Sequence, residues 1–193
     1  GKGTGGVSSS SKWYEERTDF SPKSIGTDRK THDETHGFEL LNGKSVFSGE
    51  LLGGCLDTIF DIISDTENVD MKETCERYSL FPTVDEWRNK IMFIETSENC
   101  MTPNKLVEIL QKIDEMGIIS VLNGIIVGKP QNEIFYEEYK TVYTEFFKRY
   151  PELPVVYNVN FGHAYPRAVL PYGISVEVNA EMNFVKYLES IVD

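Results

Sequence analysis

Two ionisable side chains stand at the ends of predicted strands, where catalytic groups are commonly found. Glu95 ends the apolar run 91–94, and His163 follows the predicted strand 155–161. A carboxylate that accepts a hydrogen bond from the Nδ1–H of a histidine fixes the ring tautomer and stabilises the imidazolium formed when Nε2 takes a proton. If the two strands are neighbours, Glu95 and His163 meet at one edge of a sheet as orienting carboxylate and general base. The pattern alone is more often found for a solvated strand end and a histidine without a catalytic role.

Two other groups of residues imitate functional motifs. His32 and His36 are four residues apart, but Asp33 stands where the HExxH motif needs glutamate, and the stretch lacks the apolar face of a metal-binding helix. We expect a solvated acidic loop there, with no metal and no cofactor. The segment 5–9 resembles a Gly-Gly-x-x-Ser nucleophile turn, yet no apolar strand precedes it and no helical pattern follows. We interpret it as part of a linker.

The spacing of apolar residues predicts an α/β domain, with a mixed sheet and packed helices, to position these side chains. Asn42-Gly43 lies between two apolar runs and predicts a β-hairpin, because both residues accept positive φ. Gly53-Gly54 marks a bulge and a tight turn that leads into a helix. Apolar strands then alternate with helices, one of which begins at Thr102-Pro103 and ends at Gly117. Two alternating runs close the chain as a second hairpin.

Composition and charge narrow the class of protein. Residues 1–12 are rich in glycine and serine and predict a flexible lead-in or linker, which leaves residues 13–193 as the folded domain. The excess of 31 acidic over 19 basic residues gives a net charge of −12, which disfavours nucleic acid and anionic membranes as partners. No apolar run approaches the roughly 18 residues of a membrane span. Three widely spaced cysteines are typical of reduced thiols in a cytoplasmic protein.

Four motifs, taken in order, resemble the C-terminal half of the LD-carboxypeptidase and microcin C self-immunity family of serine peptidases: ELLGGCLDTI, KIMFIETSE, LNGIIVGKP and YNVNFGHAYPRAVLPYGISVEV. The similarity extends from Phe38 to Val178. It implies the swivelling-type β/β/α C-terminal domain of that family, with Glu95 and His163 as the glutamate and histidine of a Ser-Glu-His triad. The family's serine belongs to an N-terminal domain that nothing before Trp13 resembles. We therefore expect that domain to be the main partner, and the chain alone to be inactive.

The same resemblance implies alternative substrates. In the microcin C branch, the bond is an amide between an aspartyl residue and a nucleotide-like group; the alternatives are the L,D-peptide bond of a murein tetrapeptide, or ligand binding without catalysis. Trp13 and Tyr14 fall in a segment similar to a substrate-side loop, where they either stack on a nucleobase or anchor the loop to the core. Gly53 and Gly54 are candidate substrate-binding residues, and Cys55 replaces a frequent asparagine. The resemblance also implies that the full-length protein forms a homodimer.

Overall fold

The computed structural model describes residues 5–64 and 69–191, which contain one large sheet, a small two-stranded ribbon and packed helices. The strands are β1 Gly6–Ser8, β2 Lys12–Tyr14, β3 Thr31–Asp33, β4 Glu39–Asn42, β5 Val46–Cys55, β6 Lys90–Glu95, β7 Gly124–Gly128, β8 Val155–Val159, β9 Ser175–Asn179 and β10 Phe184–Tyr187. The helices are α1 Leu56–Ile63, α2 Val69–Tyr78, α3 Val84–Trp87, α4 Pro103–Glu115 and α5 Tyr136–Phe147.

The eight-stranded sheet has the order β1-β10-β9-β5-β6-β7-β8-β4 and is mixed. Its central strands β5, β6, β7 and β8 run parallel, whereas the flanking strands pair antiparallel. Strands β6, β7 and β8 are buried along almost their whole length because both faces of the sheet are covered there. Along β6, Met92 and Ile94 join the core beneath α1, α4 and α5, while Ile91 and Phe93 join a second core on the opposite face. The expected fold class, a mixed sheet with packed helices, is confirmed.

Helix α4 forms as its sequence predicts. The hydroxyl of Thr102 accepts a hydrogen bond from the backbone N–H of Lys105 at 3.3 Å, and Pro103 occupies the first turn. A stripe of buried residues faces the sheet: Leu106, Ile109, Leu110 and Ile113. Burial of such side chains contributes about 1.5–3 kcal/mol each, so packing holds this helix in place more than propensity does. Immediately before it, residues 96–101 connect the end of β6 to the helix.

The hairpin predicted at Asn42-Gly43 is wrong, although the turn itself is present. Strand β4 pairs with β8 at one edge of the sheet, whereas β5 lies between β9 and β6. The Asn42 side chain donates to the carbonyls of Tyr150 and Leu153, both at 2.7 Å. Gly43, at φ 68°, lies so close to Pro154 that a Cβ atom would approach its backbone to 2.8 Å. The turn thus docks on the segment before β8 and carries the chain back across the sheet. The closing hairpin of β9 and β10 is confirmed.

Regular structure begins at Gly6, within the residues 1–12 for which composition predicts a flexible lead-in. Strand β1 pairs antiparallel with β10 and buries Val7, and β2 begins at Lys12. A short edge strand is held by backbone hydrogen bonds to its neighbour, so it needs no apolar run of its own. Residues 1–4 lie outside the described part of the chain.

Helices α2 and α3 were not expected. For α3 a sequence signal existed, since Thr83 and Glu86 form a reciprocal capping box.

A single extra residue in β8 changes the register next to β7. Ile126 pairs with Val156, but Gly128 pairs with Val159, so two steps along β7 correspond to three along β8. Asn158, within the extra step, has φ 68°. In residues 5–64 and 69–191, no helix is long and apolar enough to cross a membrane.

Candidate active site

Glu95 and His163 form a hydrogen-bonded pair at the carboxyl ends of the parallel strands. Oε2 of Glu95 lies 2.7 Å from Nδ1 of His163 and also accepts from the backbone N–H of His163 at 3.2 Å. A carboxylate only accepts hydrogen bonds, so Nδ1 donates and Nε2 is turned away from Glu95. Glu95 is buried, whereas the His163 side chain is 34% exposed. The geometry is that of an orienting carboxylate and a base that solvent or a partner can reach.

The two strands are not neighbours, contrary to the condition attached to the sequence prediction, because β7 lies between β6 and β8. The side chains meet because the intervening strand ends in glycine. A Cβ atom on Gly128 would lie 2.9 Å from the Cβ of Glu95, and one on Gly162 would lie 2.6 Å from its Oε2. Gly162 also has φ 82°, a conformation that other residues adopt at a cost. Both glycines are therefore required by the pair.

Glu98 contacts the other nitrogen of the histidine ring and was not singled out from sequence. Its Oε2 lies 3.0 Å from Nε2 of His163, and its side chain is 63% exposed. The preceding residue, Ser97, is buried, and its backbone N–H donates to Oδ2 of Asp57 at 3.0 Å. The turn after β6 is thus fixed to α1, while the Glu98 carboxylate projects toward the histidine. An exposed glutamate in a turn carries no sequence signal that distinguishes it from its neighbours.

The loop that carries His163 is held from several sides. The backbone carbonyl oxygen of His163 accepts hydrogen bonds from the side chains of Gln131 at 3.4 Å and Arg167 at 3.1 Å. Arg167 also pairs with Glu16 at 2.6 Å. Through Glu16, these contacts connect the loop to the segment that directly follows β2. The ring position of His163 is therefore set by the surrounding backbone as well as by Glu95.

Trp13 and Tyr14 fasten the ribbon of β2 and β3 to this region. Trp13 is buried and stacks on His32, with ring centres 4.1 Å apart and an interplanar angle of 14°. Tyr14 donates its backbone N–H to the carbonyl of Tyr165 at 2.9 Å, and the two rings meet edge to face. These contacts favour the anchoring interpretation of both aromatics. Stacking on a nucleobase stays a prediction.

Lys129, directly after β7, is a buried cation that no local sequence pattern predicts. Its ammonium lies 3.0 Å from Glu34, 2.6 Å from Glu133 and 3.3 Å from the Asn158 side chain, and 5.2 Å from the centre of the Trp13 ring. Burial alone would raise the pKa of Glu34, but the His36 N–H and the Lys129 charge hold this pKa below its ordinary value. The solvated acidic loop expected here is therefore wrong for Glu34, whose side chain is buried against Lys129.

The other two histidines are used in packing. His32 stacks on Trp13, and His36 stacks on Tyr136 with ring centres 4.4 Å apart. Across the described ranges, no group of three or more His, Cys, Asp or Glu side chains could hold a metal ion.

Gly53 and Gly54 lie on β5, next to the strand that ends in Glu95. Gly53 pairs with Phe93, and a Cβ atom there would overlap the Phe93 carbonyl oxygen at 1.8 Å. The hydroxyl of Tyr172 donates to the Gly53 carbonyl at 2.8 Å, beside a cavity of about 400 Å³. Cys55 is the register partner of Glu95, and burial, followed by the charge of Glu95, raises the pKa of its thiol to about 11. Close strand packing explains Gly53, while a substrate role for either glycine stays a prediction.

Comparison with known proteins identifies the family. The sequence model of the LD-carboxypeptidase C-terminal domain matches residues 48–178, which include both Glu95 and His163. The solved structure of an MccF-like protein from Streptococcus pneumoniae in complex with AMP is 41% identical and superposes with a TM-score of 0.89, covering 94% of this chain and 52% of that chain. No curated protein gave a significant match.

More distant structures share the fold. An MccF-like protein from Bacillus anthracis is 19% identical, with a TM-score of 0.72 over 96% of this chain and 51% of that one. MccF in complex with glutamyl sulfamoyl guanosine is 18% identical, with a TM-score of 0.70 over 100% of this chain and 52% of that one. The chain thus spans about half the length of these solved structures. On the match to well over half of its residues, the chain belongs to the LD-carboxypeptidase C-terminal domain family.

Proposed function

We propose that this chain supplies the glutamate and histidine of a Ser-Glu-His triad in a serine carboxypeptidase. The observation that supports the proposal is the 2.7 Å contact between buried Glu95 and Nδ1 of His163. In the proposed reaction a serine hydroxyl attacks an amide carbonyl while Nε2 of His163 takes its proton. The same nitrogen then returns the proton to the leaving amine, and water repeats the cycle on the acyl-enzyme. Glu95 orients the ring and stabilises the imidazolium in both halves.

The nucleophile, in this proposal, comes from a part of the protein beyond these 193 residues. Within the part of the chain that the structure describes, the recorded partner of Nε2 is the carboxylate of Glu98. The 52% coverage of the Streptococcus pneumoniae MccF-like structure leaves room in the relatives for a further domain. We accordingly expect the 193-residue chain to be inactive alone and to gain activity in the full-length protein.

The substrate we propose is an aminoacyl-nucleotide, in which an amide joins an aspartyl residue to a nucleotide-like group. The support is that the 41% identical MccF-like protein was solved with AMP. A second candidate is the L,D-peptide bond of a murein tetrapeptide. Its support is the match to a family model that is named after LD-carboxypeptidase. If neither is hydrolysed, the remaining alternative is a ligand-binding module in which the pair is structural.

The test uses the full-length protein with aspartyl sulfamoyl adenosine and a murein tetrapeptide as separate substrates. Histidine removal in a comparable triad lowers kcat by about a millionfold, so His163→Ala should lose nearly all turnover. His36→Ala is a matched control, because it removes an imidazole of similar exposure whose partners are Tyr136 and Glu39 rather than Glu95. Normal turnover by His163→Ala would exclude the triad. Comparable kcat/KM on both substrates would exclude the preference for the nucleotide.

A further inference from the structure

Glu98 occupies the one position that the proposed triad needs to be vacant. Nε2 of His163 must receive the proton of the nucleophile, yet the Oε2 atom of Glu98 lies 3.0 Å from it. Productive proton transfer requires the nucleophile oxygen at about the same distance, roughly 2.6–3.2 Å. The carboxylate and the nucleophile therefore compete for the same atom, and Glu98 must move aside during catalysis.

The turn that carries Glu98 allows its side chain to move while its backbone stays fixed. Ser97 is buried and bound to Asp57, and its hydroxyl and carbonyl accept from the backbone N–H groups of Asn99 and Cys100 at 3.2 and 3.1 Å. The Glu98 side chain is 63% exposed, so rotation about its own bonds is enough to displace it. The carboxylate can thus leave Nε2 while the backbone of Glu98 stays beside the reaction centre.

The position that Glu98 vacates is close to the acyl part of a substrate. An attacked carbonyl carbon lies roughly 3–3.5 Å from the nucleophile oxygen, which itself takes the former position of Glu98. In an aminoacyl group, a free α-ammonium is attached to the carbon next to that carbonyl. Among the described residues, His163 is the one ion-pair partner given for Glu98, so the carboxylate loses this partner when the nucleophile takes its place.

We propose that Glu98 is a specificity-determining residue that binds the free α-ammonium group of an aminoacyl substrate after the nucleophile displaces it from His163. The inference rests on the proposed function and adds the group that is recognised. It favours acyl groups with a free amine over residues inside a peptide, whose nitrogen is acylated and uncharged.

The test compares two substrates in the full-length enzyme, aspartyl sulfamoyl adenosine and its N-acetyl derivative. The wild type should prefer the free amine, and Glu98→Gln should reduce this preference by roughly 10- to 100-fold, the range of one charge-assisted hydrogen bond. The readout is the ratio of the two kcat/KM values, because any effect of the variant on His163 acts on both substrates and cancels in the ratio. Glu115→Gln, at the far end of α4, is the matched control for loss of one exposed acidic charge.

Three outcomes would overturn the inference. An unchanged ratio of kcat/KM for the two substrates would show that Glu98 does not recognise the ammonium group. Faster turnover of both substrates by Glu98→Gln would make the residue an inhibitory cap on His163, and equal slowing of both would make it structural. Failure of the wild-type enzyme to hydrolyse the free-amine substrate is a separate result, seen before any variant is compared. It would remove the proposed function, and this inference with it.

Discussion

Replacing Lys129 with methionine removes a cation that is almost entirely enclosed by its partners. Its side chain is 1% exposed, and that of Glu34 is 4% exposed. Methionine has a similar length and fits an apolar volume, so the change removes charge with little loss of packing. Glu34 is then left buried without its counter-ion, whereas the more exposed Glu133 can turn toward water.

The expected loss of stability depends on the hydrogen bonds that Glu34 retains in the variant. Removal of one partner of a buried ion pair typically costs about 3–5 kcal/mol. Glu34 still accepts from the His36 N–H at 2.9 Å and from the Asn158 amide at 3.4 Å. We therefore expect the lower end, a loss of about 3 kcal/mol in the free energy of unfolding at pH 7.

The loss should shrink in acid. The pKa of Glu34 is held below its ordinary value, so its stabilising contribution is present above that ordinary value and disappears as the pH falls through the lowered one. Without Lys129, burial favours the neutral acid, which needs no counter-ion. The difference between wild type and Lys129→Met should accordingly be smaller at pH 4 than at pH 7.

Urea unfolding, followed by tryptophan fluorescence, measures the free energy of unfolding of both proteins at pH 7 and at pH 4. The matched control is Lys148→Met, which breaks a pair with Glu145 whose side chains are 63% and 62% exposed, and it should change stability by less than about 1 kcal/mol. A loss for Lys129→Met no larger than that of the control would refute the reasoning. Adding Glu34→Gln to Lys129→Met should recover part of the loss, because it removes the stranded charge.

Two further predictions concern Glu95 and its neighbour on β5. Gly162→Ala and Gly117→Ala both place alanine at φ near 80°, but only the former brings a Cβ atom against Glu95, 2.6 Å from Oε2, while Gly117 has open space around it. Gly162→Ala should therefore lower kcat of the full-length enzyme by about a hundredfold beyond Gly117→Ala, and equal effects would argue against steric control of the pair. Because burial raises the pKa of Cys55 to about 11, its alkylation by iodoacetamide at pH 8 should be about a hundredfold slower than that of free cysteine. Mass spectrometry of the Cys55 peptide gives the rate, and a rate equal to that of free cysteine would contradict the cause assigned to the shift.

Local sequence patterns predicted the positions of Glu95 and His163 at strand ends, because continuous apolar runs are sufficient to identify buried strands. How the pair meets could not be predicted in the same way. It depends on Gly128, which belongs to a third strand, and on the register of β8. The same holds for the Asn42-Gly43 turn. The turn could be predicted from its two residues, but β4, which precedes it, pairs with β8 more than a hundred residues away.

Glu98 and Lys129 mark the limit of sequence interpretation at the site. Both are charged residues in turns after strands, where charge is ordinarily solvated. Glu98 does remain exposed, and only its contact with Nε2 distinguishes it. Lys129 is buried because a segment about a hundred residues earlier covers it with Glu34, a contact that no local pattern encodes.

The extra residue in β8 has a consequence for how the length of this segment can vary. Deleting it would move every later residue by one strand position, about 3.3 Å, and turn each side chain to the opposite face of the sheet. His163 lies only four residues beyond Val159, too near for a loop to absorb the shift, and its bond to Glu95 is 2.7 Å long. Between Val156 and His163, the number of residues is therefore constrained as strictly as their identity. Insertions and deletions should be tolerated in outlying turns of the domain, while this stretch keeps a constant length.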